Sequence, residues 1–160
     1  MAAQAKNNHP NEGQENGKKT IALLQLARIG DVLQTLQAAE HLREQRDDVR
    51  LLLIARKKFA EPLEFLLEKT FDRVFYLDPD TLFDSDGLKP SIENIKNFRE
   101  EIDNEHINAL INFTYSKTSG YLATLISADH KLGSWYDETG NLRVQDPWSQ
   151  FIYSNVLETP

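Results

Sequence analysis

Short apolar runs alternate with stretches whose apolar residues recur at helical spacing, and this alternation constrains the fold more than any other feature. The first run is Ile21-Ala22-Leu23-Leu24-Gln25-Leu26. A run so short and so continuously apolar suits a strand covered on both faces. Val32, Leu36, Ala39 and Leu42 follow at intervals of three and four, as on one side of a helix. The pattern then repeats. Run 49–55 precedes a helix marked by Phe59, Leu63, Leu66 and Leu67, with Pro62 in its first turn. Run 73–77 leads through a polar loop to Pro90 and to a helix carrying Ile92, Ile95, Phe98 and Ile102, capped by Ser91. Run 107–113 precedes a short helix with Tyr121, Leu122, Leu125 and Ile126. Residues 130–135 read as a fifth, short strand, and Asp146-Pro147-Trp148 as the start of a last helix with Phe151, Ile152 and Val156 on its stripe. Strand–helix alternation implies a parallel sheet with helices on both faces. The expected fold is one Rossmann-like α/β domain over residues 20–160, preceded by a disordered tail over 1–19 with little to bury.

Composition narrows the function. The 160 residues suit a single domain. Lys and Arg total 18 against 25 Asp and Glu, a net charge of −7, which tells against a general nucleic-acid binder. The chain has no cysteine, so disulfides, thiolate metal sites and cysteine nucleophiles are excluded. No apolar run approaches the roughly 20 residues of a membrane span, and the N-terminus lacks a secretory pattern. A cytoplasmic location is expected. His9, His41, His106 and His130 are scattered, and no metal site is expected from them.

In a parallel sheet, ligands bind at the carboxyl ends of the strands. The loops there carry Ala27-Arg28-Ile29-Gly30-Asp31, Arg56-Lys57-Lys58, Asp78-Pro79-Asp80 and the segment with Lys117 and Ser119. Five cations, Arg28, Arg56, Lys57, Lys58 and Lys117, thus gather on one rim of an acidic protein and suggest an anionic ligand. The competing reading is ordinary solvated loop charge. The first loop has the single glycine Gly30 where a dinucleotide fingerprint needs three, and no P-loop is present, so neither NAD nor ATP is expected there. Asp78 and Asp80 have the spacing of a metal-dependent A-type glycosyltransferase, although Asp-Pro-Asp also suits a plain turn.

Arg28-Ile29-Gly30-Asp31, followed by Val32-Leu33-Gln34-Thr35, resembles the opening of the heptosyltransferase family, glycosyltransferase family 9, whose members begin with an apolar strand, Arg-x-Gly-Asp and a helix. Arg56-Lys57-Lys58-Phe59, Asn112-Phe113-Thr114 and Lys131-Leu132-Gly133 also look similar to the family, and the resemblance covers about residues 20–157. It implies the N-terminal, acceptor-binding half of a B-type glycosyltransferase. A C-terminal domain absent from this chain would bind the donor nucleotide-sugar, typically ADP-heptose, with no further cofactor, and the fragment alone would be inactive. By the same resemblance Asp31 is the general base that takes a proton from an acceptor hydroxyl as its oxygen attacks the anomeric carbon, with inversion. Arg28, Gly30, Arg56, Lys57, Lys58, Lys117 and Ser119 would contact the acceptor, an anionic glycolipid of the lipopolysaccharide type at the inner face of the cytoplasmic membrane. Gly30 would permit a tight turn and close approach of the ligand. Asp31 also suits a first-turn cap, and Ser119 a capping role. A non-catalytic module that binds an anionic metabolite or partner through Arg28 and Arg56 to Lys58 is the rival to the enzyme.

Overall fold

The computed structural model describes residues 17–78, 82 and 87–157. Tail residues 1–16 lie outside them, as does Asp80. Strand β1 spans Lys19–Gln25, one residue earlier than expected, and helix α1 spans Ile29–Gln45. Then come β2 (Val49–Arg56), a short α2 (Lys57–Ala60), a 3₁₀ turn (Glu61–Leu63), α3 (Glu64–Thr70) and β3 (Arg73–Leu77). Helix α4 (Leu88–Asp103), β4 (Ala109–Asn112), α5 (Lys117–Leu125) and β5 (His130–Leu132) follow. A hairpin of β6 (Ser134–Tyr136) and β7 (Leu142–Val144) leads into α6 (Pro147–Leu157).

The first five strands form one parallel sheet in the order β3-β2-β1-β4-β5, with Leu23 opposite Leu53 on one side and Ile111 on the other. Alternate side chains of a strand face opposite ways, and both faces are covered here. Ala22, Leu24, Leu52 and Ile54 pack with Ile102 of α4 and Leu122 and Ala123 of α5. Leu23, Leu51, Leu53 and Ala55 pack on the other face with Val32, Leu36 and Ala39 of α1 and Leu67 of α3. Two-sided burial explains why β1 and β2 read as unbroken apolar runs. Each such leucine contributes about 1.5–3 kcal/mol over its exposed state.

Three elements differ from expectation. Pro62 does not sit inside one helix: it opens the 3₁₀ turn that separates α2 from α3, because its ring denies the chain a continuous α-helical hydrogen-bond ladder. Helix α4 begins at Leu88 behind Gly87, and Ser91 lies in its first turn with its hydroxyl donating to the Gly87 carbonyl at 3.2 Å. The expected strand over 130–135 is broken at Gly133, whose φ of 88° turns the chain out of the sheet and into the hairpin. That hairpin is closed by Asp137, whose carboxylate accepts from the Thr139 hydroxyl at 2.7 Å, the Asn141 N–H at 2.9 Å and Arg143 Nε at 2.8 Å. The Thr139 hydroxyl first, and then the Asn141 N–H, hold this carboxyl well below the usual range.

At the amino end of the sheet, the buried carboxylate of Glu105 is paired with both Arg50 and Arg73, and Arg73 also reaches Glu101. Removing the anion leaves two guanidiniums, one on β2 and one on β3, without their shared partner. Glu105→Ala is expected to lower the unfolding free energy in urea by about 2–4 kcal/mol, short of the full buried-pair range because both arginines are part-solvated. A loss within the error of wild type would show that the cluster does not hold the strands.

Candidate functional site

The chain runs outward from β1 to β2 and β3 and then returns to β4 on the other side of β1, so the strand order reverses between β1 and β4. The carboxyl ends of those two strands splay into separate loops there, the place where open α/β sheets bind ligands. One loop carries Arg28 and leads into α1; the other carries Thr114, Tyr115 and Ser116 and leads into α5. Arg56, the last residue of β2, and Lys57 and Lys58, the first two of α2, lie at the carboxyl end of the strand beside β1.

Arg28 is the N-cap residue of α1, and its side chain is exposed. Asp31 is the third helical residue, half-buried, and its Oδ2 accepts the Arg28 backbone N–H at 3.0 Å. This is the return arm of a capping box, and it fixes the carboxylate against the helix start. A carboxylate has about four lone-pair sites, so the bond leaves Asp31 able to accept a further proton or hydrogen bond. Capping and chemistry are therefore compatible at this residue.

Gly30 differs from expectation. It is an ordinary helical residue, not one of positive φ, so no tight turn demands it. A Cβ built on it meets nothing within 4 Å. The space beside Asp31 is open, and Gly30→Ala is expected to leave the fold intact or stabilise it by up to about 1 kcal/mol. In the same variant, affinity for a ligand that approaches over Gly30 falls. Thermal unfolding and titration of one preparation separate the two effects.

Three of the remaining cations have partners, of different kinds. The Arg56 guanidinium and Lys58 Nζ lie 5.7 Å and 6.0 Å from the Phe59 ring centroid. Lys57 Nζ is 3.7 Å from Glu61 Oε1 across one helical turn, an exposed pair of small worth. Lys117 is exposed at the first residue of α5. Ser119 is not on the rim surface. It is 0% exposed, its hydroxyl lies within reach of the Thr114 and Ser116 carbonyls, and its N–H donates to the capping Ser116 hydroxyl at 3.2 Å. It shapes the loop from beneath and has no open face for a ligand. Asp78 is exposed just after β3, and among the described residues no three acidic or histidine side chains are grouped to hold a metal ion.

Sequence reasoning missed what lies under the rim. Gln25, Asn112 and Thr114 form a buried polar layer where β1 and β4 end. Asn112 Nδ2 donates to the Ser134 carbonyl at 2.9 Å, and Tyr153 of α6 donates from its phenol to Ser134 Oγ at 2.7 Å. The signals in the sequence are a glutamine inside an otherwise apolar strand run and the Asn112-Phe113-Thr114 segment, neither of which marks these residues as partners. Two clefts among the described residues lie elsewhere: about 200 Å³ along edge strand β3 beside Asp72 and Tyr76, and about 330 Å³ before the amino end of β4 beside His106 and Asp129. The aromatic residues divide. Trp135 packs on the core, Tyr121 stacks on Tyr136 at 4.4 Å, and Trp148 and Phe151 are exposed on α6 with ring centroids 6.0 Å apart.

No family model matches the sequence, and no curated protein matches it. Solved structures do match the fold. The Escherichia coli heptosyltransferase WaaC, solved with ADP, superposes with a TM-score of 0.59 at 19% identity over 71% of this chain and 36% of its own. A family 9 glycosyl transferase from Veillonella parvula gives 0.58 at 23% identity over 75% of this chain and 33% of its own. WaaC with ADP-2-deoxy-2-fluoro heptose gives 0.55 at 18% identity, over 82% and 40%. The chain thus spans between 33% and 40% of the length of these proteins. The five-stranded parallel sheet with helices on both faces is thus the fold shared with these heptosyltransferase and glycosyltransferase family 9 structures.

Proposed function

We propose that this chain is the acceptor-binding half of an inverting glycosyltransferase of the heptosyltransferase type, acting on an anionic glycolipid of lipopolysaccharide type at the inner face of the cytoplasmic membrane. Its donor, a nucleotide-sugar such as ADP-heptose, would be held by a second domain. What supports this reading is that Asp31 lies in the first turn of α1, directly after β1, one of the two strands between which the strand order reverses, with Arg28 at the start of the same helix. Arg28 and Lys117 would take the acceptor's phosphate or carboxylate groups, with the fork of Arg28 suited to bidentate contact. Arg56 and Lys58, backed by Phe59, would extend the same positive rim, with Lys57 shared with Glu61. Asp31 would accept the proton of the attacking hydroxyl. No helix among the described residues is long and apolar enough to cross a membrane.

Titration of the free chain with short-core lipopolysaccharide tests the reading. A charge-assisted contact is worth about 1.5–3 kcal/mol, so Arg28→Ala and Lys117→Ala are each expected to weaken binding about tenfold or more. Lys96→Ala, on an exposed turn of α4 away from the rim, serves as the control. Equal affinity in all three variants would remove the rim from acceptor binding.

A further inference from the structure

Gln25 and Thr114 are polar residues set in the interior, 5% and 8% exposed, at the end of an apolar sheet. Such a pair weakens a core unless its donors and acceptors are used. Here they are used almost wholly on the loop that carries Arg28 and Asp31. The Leu26 N–H donates to Thr114 Oγ1 at 2.7 Å, and the Ala27 N–H donates to Gln25 Oε1 at 3.0 Å. The Thr114 hydroxyl donates to the same glutamine oxygen at 2.8 Å. Gln25 Nε2 donates to Thr35 Oγ1 at 3.3 Å, and the Thr35 hydroxyl donates to the Asp31 carbonyl at 2.9 Å. The two amides before Arg28 are thus paired by these two side chains, which also reach the Asp31 carbonyl through Thr35, in addition to the backbone bonds of α1.

We propose that Gln25 and Thr114 are positioning residues that hold Arg28 and Asp31 in register with the loop after β4. The inference rests on the reading of the Arg28–Asp31 loop as the ligand site. It goes further in naming what fixes that site: a bond network that also ties the two sides of the strand-order reversal together. Packing alone would be served by apolar residues at both positions, which would bury as much area but leave the Leu26 and Ala27 amides unpaired.

The test uses residue-resolved amide exchange on the free chain, followed by titration with short-core lipopolysaccharide. Thr114→Val is nearly isosteric and lacks the hydroxyl; Thr114→Ser keeps it. In Thr114→Val the Leu26 amide is expected to exchange about tenfold faster, while the Leu52 and Leu53 amides of β2 keep their wild-type protection. Binding weakens about tenfold in parallel, and Thr114→Ser restores both. Thr35→Val repeats the comparison from the Asp31 side. Unchanged exchange at Leu26, or an equal rise through the whole sheet, overturns the proposal. So does faster exchange with unaltered affinity. Wild-type affinity in Arg28→Ala would instead sink the ligand reading, and the exchange results would still decide whether the pair holds the loop.

Discussion

Asp31→Asn is expected to lower sugar transfer by about 10²–10⁴-fold while leaving the domain as stable as wild type within a few tenths of a kcal/mol. The measurement needs a protein that joins this domain to one binding the nucleotide-sugar. Asparagine is the informative replacement because it separates the observed function of Asp31 from the proposed one. Its Oδ2 accepts the Arg28 N–H and closes the start of α1, and an amide oxygen does the same. Its second function, in the proposed chemistry, is to take a proton from the attacking hydroxyl, and an amide is too weak a base for that. Asp31→Ala removes both functions, so it adds a helix-start penalty of about 0.5–1 kcal/mol to the same loss of transfer. If Asp31→Asn transfers sugar at the wild-type rate and Asp31→Ala is merely less stable, the carboxylate is a cap and the rim is a binding surface without a base. Acceptor affinity separates the cases further. A base that acts in the transition state changes kcat with little effect on binding, whereas loss of a ligand contact raises KM.

How much of this is legible in the sequence depends on the range of the interaction. The sheet is legible, because strands covered on both faces must be apolar throughout, and the apolar–polar alternation of a half-exposed strand is absent from a run such as Leu51 to Ala55. The rim is also legible, since the ends of strands can be counted once the strands are found. Pro62 and Gly133 break elements that periodicity alone would continue; each does so through a backbone constraint that hydrophobic spacing does not register. A position two residues after Lys117 suggests the rim for Ser119, but its helix turns it inward, to 0% exposure. The bond between Thr114 and Gln25 joins residues 89 apart in sequence. Nothing local marks that partnership: it exists only because β4 returns to lie against β1, and strand order is a property of the assembled sheet.

Gly133→Ala is expected to cost about 2–5 kcal/mol of folding free energy, as two terms combine. A φ of 88° is left-handed backbone, which costs a residue with a Cβ about 1–2 kcal/mol. The added carbon would also stand 2.3 Å from the Asn112 carbonyl oxygen and 3.1 Å from its carbonyl carbon and Cβ. Those are atoms of a buried strand end, unable to swing away as a surface side chain could, so overpacking adds about 1–3 kcal/mol. Gly140→Ala isolates the first term: its φ is 79°, but its Cβ would meet nothing within 4 Å. Urea denaturation of the two variants should therefore differ by the clash alone, and equal losses would refute it. The displacement has a direction as well as a cost. Asn112 Oδ1 accepts the Thr114 N–H at 3.0 Å, and Thr114 in turn holds Leu26, so a β4 end pushed by the methyl shifts the loop of Arg28 and Asp31. The Gly133 N–H donates to Asp146 Oδ2 at 2.9 Å, and Asp146 Oδ1 accepts the Ser149 N–H at 2.8 Å, so the start of α6 moves too. A partially folded Gly133→Ala should then show faster amide exchange at Leu26 and Ser149 together, two positions far apart in sequence that this one glycine connects.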